Sequence, residues 1–162
     1  GRHPQRVSGL GLIDTTAWYG PDAAKAWEGR ASQARAGGMQ ALVNFQLERW
    51  FSEPFRKSGN PVIDKALKTF LANDVTSYEA TCRMLGGFDG RAFLPKIDCP
   101  TAVVVGERDY ATPIAMAQAL ADGIKGATLT VLPDVQHFTP LEVPQQIAGH
   151  LAKLIAAVQA RG

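Results

Sequence analysis

Hydrophobic positions change their period twice along this chain. Val7-Ser8-Gly9-Leu10-Gly11-Leu12-Ile13 is a short apolar run between Pro4 and the polar stretch Asp14-Thr15-Thr16, which predicts a buried strand ending in a loop. Gly9 and Gly11 weaken strand propensity but permit close packing by another backbone or a helix. From Pro21 to about Gly87 the period becomes helical. Ala23 to Ala36 is rich in helix formers and stops at Gly37-Gly38. Met39, Leu42, Val43, Gln46, Leu47 and Trp50 then recur at three- and four-residue steps. Further helices are predicted over Val62–Ala72 and Tyr78–Leu85, with Glu53-Pro54 and Gly59-Asn60-Pro61 as punctuation between segments.

Strand signals return after Gly87. Thr101-Ala102-Val103-Val104-Val105 follows Pro100 and ends at Gly106, as expected for a strand covered on both faces. Thr112 reads as the N-cap, and Pro113 as the first position, of a helix over Ile114–Ile124. Thr128-Leu129-Thr130-Val131-Leu132 is the next strand, and Pro144 opens a last helix with Ile147, Leu151, Leu154, Ile155 and Val158 on one face. The order is strand, four-helix insertion, then strand–helix–strand–helix. It predicts an α/β fold with a parallel sheet and right-handed crossovers. The organisation is a core segment over 1–20, a helical insertion over 21–87 and a second core segment over 88–162.

Composition narrows the function classes. The 162 residues carry a formal charge of +2, with lysines and arginines scattered, so no nucleic-acid partner is indicated. No apolar stretch has the length of a membrane span, and no signal peptide is recognisable. Cys82 and Cys99 form no C-x-x-C pair and are expected to be reduced, which places the chain in the cytoplasm. His3, His137 and His150 lack metal-ligand spacing, and no G-x-G-x-x-G or phosphate-binding loop occurs, so neither metal nor cofactor is expected.

Candidate chemistry gathers where strands of a parallel sheet end. Asp14 follows the first strand, Asp109 the second and His137 the third. Asp109 and His137, on adjacent strands, can meet across the rim. A carboxylate bonded to a histidine fixes its tautomer and stabilises the imidazolium formed during nucleophilic attack. A loop aspartate and a loop histidine that never touch would be the plain alternative.

Asp98-Cys99-Pro100, the segment through Gly106-Glu107-Arg108-Asp109 with Pro113, and His137-Phe138-Thr139-Pro140-Leu141-Glu142-Val143-Pro144 resemble the acid strand and histidine loop of α/β-hydrolase-fold serine hydrolases. Arg2-His3-Pro4-Gln5-Arg6-Val7 is similar to the approach to the strand that follows the nucleophile helix. The resemblance implies the C-terminal part of that fold, namely its last three parallel strands with flanking helices and a helical lid. It also implies Asp109 and His137 as two members of a catalytic triad. Asp14 is the rival acid, since some members place the acid after this earlier strand; otherwise it would cap its own loop.

Within the family, Leu12-Ile13-Asp14-Thr15-Thr16-Ala17, Ala34 to Leu42 and Arg49-Trp50-Phe51 resemble the 3-oxoadipate enol-lactonases, which hydrolyse a small carboxylate-bearing lactone. Their Trp at this place faces the substrate, so Trp50 is the candidate substrate-binding residue; packing on Leu47 and Phe51 is its alternative. Arg49 could bind a substrate carboxylate, but a solvated surface arginine is the expected role.

The nucleophile is the missing piece. Ser8, Ser32, Ser52, Ser58 and Ser77 are the only serines, and none sits in G-x-S-x-G. The chain starts at Gly1 without Met, and the expectation is that the serine lies outside it. A hydrolase short of its other half, inactive alone, is one expectation; a noncatalytic module binding a ligand or protein is the other. In the first case the missing half, or a second chain, would pair along Val7–Ile13.

Overall fold

A computed structural model describes residues 1–161. They form two compact units: Gly1–Trp18 with the chain from Gly90 onward, and Tyr19–Asp89.

The first unit is built on a parallel sheet in the order β1 (Leu10–Ile13), β2 (Thr101–Gly106), β3 (Thr128–Leu132). The consecutive valines of β2 explain why it is central. Val103 and Val105 point to one face, onto Ala17, Ala117 and Leu120, while Val104 points to the other, onto Leu132, Val135 and Ile147. The β-branched run thus supplies both layers of the core at once. Helix α6 (Ile114–Gly123) brings Ala117 and Leu120 to the first layer, and α8 (Pro144–Gln159) brings Ile147 to the second.

Strand β1 is shorter than the apolar run suggested. Pro4–Arg6 is a 3₁₀ turn, Ser8 is a bend and Val7 is 43% exposed, so pairing begins only at Leu10. The expected strand over Val7–Ile13 is corrected to Leu10–Ile13. Val7 is extended, but its amide closes the 3₁₀ turn on the Pro4 carbonyl and the bend at Ser8 follows, so it joins no strand ladder. A Cβ at Gly9 would lie 2.6 Å from Val158 Cγ2, and one at Gly11 would lie 3.3 Å from Leu151 Cδ2. Bare backbone here lets α8 lie close against β1.

The second unit is helical: α1 (Ala23–Gly37), a 3₁₀ turn (Met39–Leu42), α2 (Val43–Trp50), α3 (Glu53–Lys57), α4 (Pro61–Leu71) and α5 (Val75–Gly86). Five helices replace the four expected, because Glu53-Pro54 opens a short helix rather than a plain turn. Ser52 accepts a hydrogen bond from the Phe55 amide, and proline fits the first turn. Asn60 and Asp74 cap α4 and α5 in the same way. Ala31 and Ala34 are buried where α1 meets α5, and a Cβ on Gly86 would stand 3.1 Å from Ala24 Cα. Glu28 bonds Arg83 and Arg35, and Arg35 also pairs with Glu79. Trp50, 6% exposed, meets Phe70 and Phe51 edge to face, and Phe70 meets Tyr78 likewise.

Candidate active site

Asp109 lies three residues beyond the end of β2. Its amide bonds back to the Gly106 carbonyl at 3.0 Å, closing a turn. The carboxylate is then wrapped by its own loop. Oδ1 accepts from the Ala111 and Thr112 amides at 2.8 and 2.9 Å, and Oδ2 accepts from the Thr112 hydroxyl at 2.8 Å. Thr112 is therefore not the helix cap the sequence suggested. Pro113, extended at ψ 164°, holds that place, and Thr112 is buried with its hydroxyl on Asp109. A cap would accept from helix amides, whereas the Thr112 hydroxyl donates its proton to the carboxylate.

The loop after β3 is laced to the loop after β2. The Glu107 amide donates to the Leu132 carbonyl, the Arg108 amide to the Val135 carbonyl, and the Asp134 amide to Glu107 Oε2. Arg108 also pairs with Asp134. Gly106 makes the approach possible: a Cβ there would fall 2.3 Å from the Gln136 carbonyl oxygen and 2.5 Å from that of Val135. Asp134 turns the chain at φ 60°, a left-handed conformation that aspartate tolerates better than most residues.

These constraints bring His137 Nδ1 to 2.8 Å from Asp109 Oδ2. The Asp109 side chain has no exposed surface, while the His137 side chain keeps 23%. Burial works to raise the Asp109 pKa, but the His137 bond and charge and the two Thr112 bonds outweigh it, leaving the group below its ordinary value. In the neutral ring an ionised Asp109 selects the tautomer with the proton on Nδ1, in which Nε2 carries the lone pair. The ring also stacks on Phe138, with centroids 5.7 Å apart. The arrangement can hold one histidine tautomer, offer Nε2 as a base and stabilise the imidazolium that results.

Asp14 is placed differently from either sequence expectation. It neither contacts the histidine ring by a hydrogen bond nor caps its own loop. Its Oδ2 accepts from the Thr139 amide and hydroxyl at 3.0 and 2.6 Å. Burial pushes its pKa up from the ordinary 3.8 to about 6, against the Thr139 bonds. Nothing in the sequence signals this link, because its partners are 125 residues apart.

Among the described residues no cluster of histidine, cysteine and carboxylate side chains could hold a metal ion, and no helix is long and apolar enough to cross a membrane. Cys82 and Cys99 are both free. Ser8 is the single serine of the first unit and precedes β1, at the opposite end of the strands from Asp109 and His137.

With this geometry in place the similarities to known proteins become specific. The enol-lactonase of Burkholderia xenovorans superposes with a TM-score of 0.90 at 28% identity, over 96% of this chain and 58% of that one. The chain has the α/β-hydrolase fold. An esterase of Thermogutta terrifontis superposes with a TM-score of 0.86 at 25% identity, over 97% of this chain and 58% of that one. In sequence, 3-oxoadipate enol-lactonase 2 of Acinetobacter baylyi is 29% identical over 142 residues, which is 88% of this chain and 52% of the enzyme. No protein-family model matches the sequence. The chain spans about half the length of the curated enol-lactonases it matches. These α/β-hydrolase relatives are ester- or lactone-cleaving enzymes.

Proposed function

We propose that this chain supplies the acid, Asp109, and the general base, His137, of a Ser–His–Asp site that cleaves a small ester or lactone, with the nucleophilic serine lying outside the sequence. The observation that carries the reading is the contact between a fully buried, hydrogen-bonded carboxylate and a part-exposed histidine at adjacent strand ends. In the reaction His137 Nε2 takes the proton from the serine hydroxyl as it attacks the carbonyl. The same nitrogen returns the proton to the leaving oxygen, and water repeats the cycle to release the acid. Asp109 keeps Nδ1–H in place throughout.

Substrates resembling 3-oxoadipate enol-lactone are the first to test, because both enol-lactonases of A. baylyi match the chain. Trp50 is proposed to meet that substrate, supported by the likeness of its segment to the enol-lactonase lid. Trp50→Ala should then raise KM with little change in kcat, whereas unaltered KM with lower stability would leave Trp50 to its packing on Phe70 and Phe51. Two free cysteines favour a reducing, cytoplasmic setting. The deciding experiment treats the full-length natural product with a fluorophosphonate probe, beside hydrolysis assays. Labelling and turnover that vanish in His137→Ala support the reading. A folded protein that neither labels nor turns over any ester or lactone would mark a noncatalytic binding module instead. The 162 residues by themselves should show no triad-dependent turnover.

A further inference from the structure

Two strand ends are occupied by the Asp109–His137 pair, and the third ends in a carboxylate that the reaction leaves unused. We propose that Asp14 is a positioning residue, whose side chain pins the histidine loop at Thr139 and so fixes where the His137 ring stands.

The path of hydrogen bonds is closed. The Asp14 amide donates to the Val104 carbonyl of β2 at 2.9 Å, which fixes the Asp14 backbone to the strand that leads to Asp109. Asp14 then takes φ 47°, a left-handed conformation uncommon for a side-chain-bearing residue. The turn directs its carboxylate at the loop after β3. Oδ2 takes both donors of Thr139, the amide at 3.0 Å and the hydroxyl at 2.6 Å, and Thr139 is fully buried. Two residues back along the chain, His137 Nδ1 meets Asp109 Oδ2, and Asp109 returns the path to β2.

Local chemistry explains why the pin sits at Thr139. That residue opens α7 (Thr139–Glu142), whose flanking Phe138 makes no side-chain cap. First-turn amides have no partner inside their own helix, and Asp14 supplies one across the sheet. The bonds from the β2 loop hold the front of the histidine loop, at Asp134 and Val135. Asp14 holds it on the far side of His137. With both flanks tied, the ring has little room to swing away from Asp109. The geometry stands whether or not His137 serves as a base; only the effect on turnover rests on the function proposed above.

The test reads the ring directly. In protein labelled with 15N-histidine, the His137 Nδ1–H proton and the two ring-nitrogen shifts report the bond to Asp109 and the tautomer. Asp14→Ala should broaden or remove that proton signal and mix the tautomers. Asp14→Asn should restore both, because the amide oxygen still accepts from Thr139. Thr139→Val, which keeps the side-chain shape and loses only the hydroxyl, should fall between. In the active full-length enzyme Asp14→Ala should lower kcat by about 10- to 100-fold with KM nearly unchanged, a misplaced catalytic group being costly at this scale, and Asp14→Asn should recover most of it. An unaltered His137 signal in folded Asp14→Ala overturns the proposal, as does Asp14→Asn behaving like Asp14→Ala. Should Asp14→Ala not fold, an unaltered signal in Thr139→Val overturns it equally. The spectra need no turnover, so an inactive protein with the expected spectra would count against the hydrolase reading and not against the pin.

Discussion

The loops after β1 and β2 start from the same ingredients: a strand end, an aspartate and a histidine loop within reach. They finish with carboxylates of opposite character. Asp109 receives hydrogen bonds from two amides, a hydroxyl and an imidazole, and its pKa is lowered despite burial. Asp14 receives two bonds, both on Oδ2; its Oδ1 is buried with no hydrogen-bond partner, and its pKa rises to about 6. The difference lies in how the chain continues. After Asp109 the loop doubles back, so the residue's own Ala111 and Thr112 bond it. After Asp14 the chain leaves for Thr16, whose hydroxyl bonds the Trp18 carbonyl instead. Charge at a strand end is stabilised by the donors its own loop folds around it, and an aspartate without them is left for structural use.

The widest separation between the two loops should be in turnover of the full-length enzyme. Asp109→Asn offers the wrong partner to Nδ1–H and should lower kcat by about 10⁴-fold, as is typical when a triad histidine loses its acid. Asp14→Asn should cost far less. Steady-state kinetics of both variants would check this, and a larger loss at Asp14 would mean that the acid is Asp14.

The glycines before the two loops should separate next. Gly106→Ala places a methyl group against the backbone oxygens of Gln136 and Val135, which cannot turn aside. It should destabilise the fold by about 3 kcal/mol, the upper end for overpacking. Gly11→Ala meets only the end of the Leu151 side chain at 3.3 Å and should cost well under half of that. Urea denaturation of both variants measures the gap. Equal losses would show that close approach is no more demanding in the acid loop than beside α8.

The two regions were also unequally legible. β2 declared itself through Val103, Val104 and Val105, because a strand buried on both faces must be apolar at every position. Asp109 and His137 could be paired because strand ends are read from such runs, and parallel order brings adjacent ends together. β1 was overread at Val7, where a local pattern gave no measure of the 3₁₀ turn ahead of it. Thr112 carried a sound capping signal, but the helix starts one residue later, at a Pro113 cap, and the Thr112 hydroxyl donates to Asp109. The short helix α3 did leave a signal, a capping serine two residues before Pro54, which its five-residue length made easy to pass over. The bond from Asp14 to Thr139 left none, since side-chain contacts between distant segments have no sequence period.

The most direct reading of the contrast is in pH dependence. Asp14 binds its proton more tightly in the folded state than in the unfolded chain, at about 6 against 3.8. Its contribution to stability is therefore fully present below pH 3.8 and is lost as pH rises through about 6. Asp109 has the opposite sign: its contribution is present above 3.8 and is lost only as pH falls below that value, through its lowered folded-state pKa. His137 and Asp109 both bear on the Asp14 charge, the first favouring it and the second opposing it, and burial outweighs both. Between pH 7 and pH 4 the stability of the wild-type protein should thus rise relative to Asp14→Asn, which has no proton to gain. Over the same range the wild-type protein compared with Asp109→Asn should show a nearly constant difference, changing only at lower pH. Guanidinium denaturation at several pH values would trace both curves, and 13C carboxyl titration would assign the groups. An Asp14 carboxyl that titrates below 4 would erase the contrast, because it would mean that the two Thr139 bonds stabilise its charge as well as four donors stabilise that of Asp109.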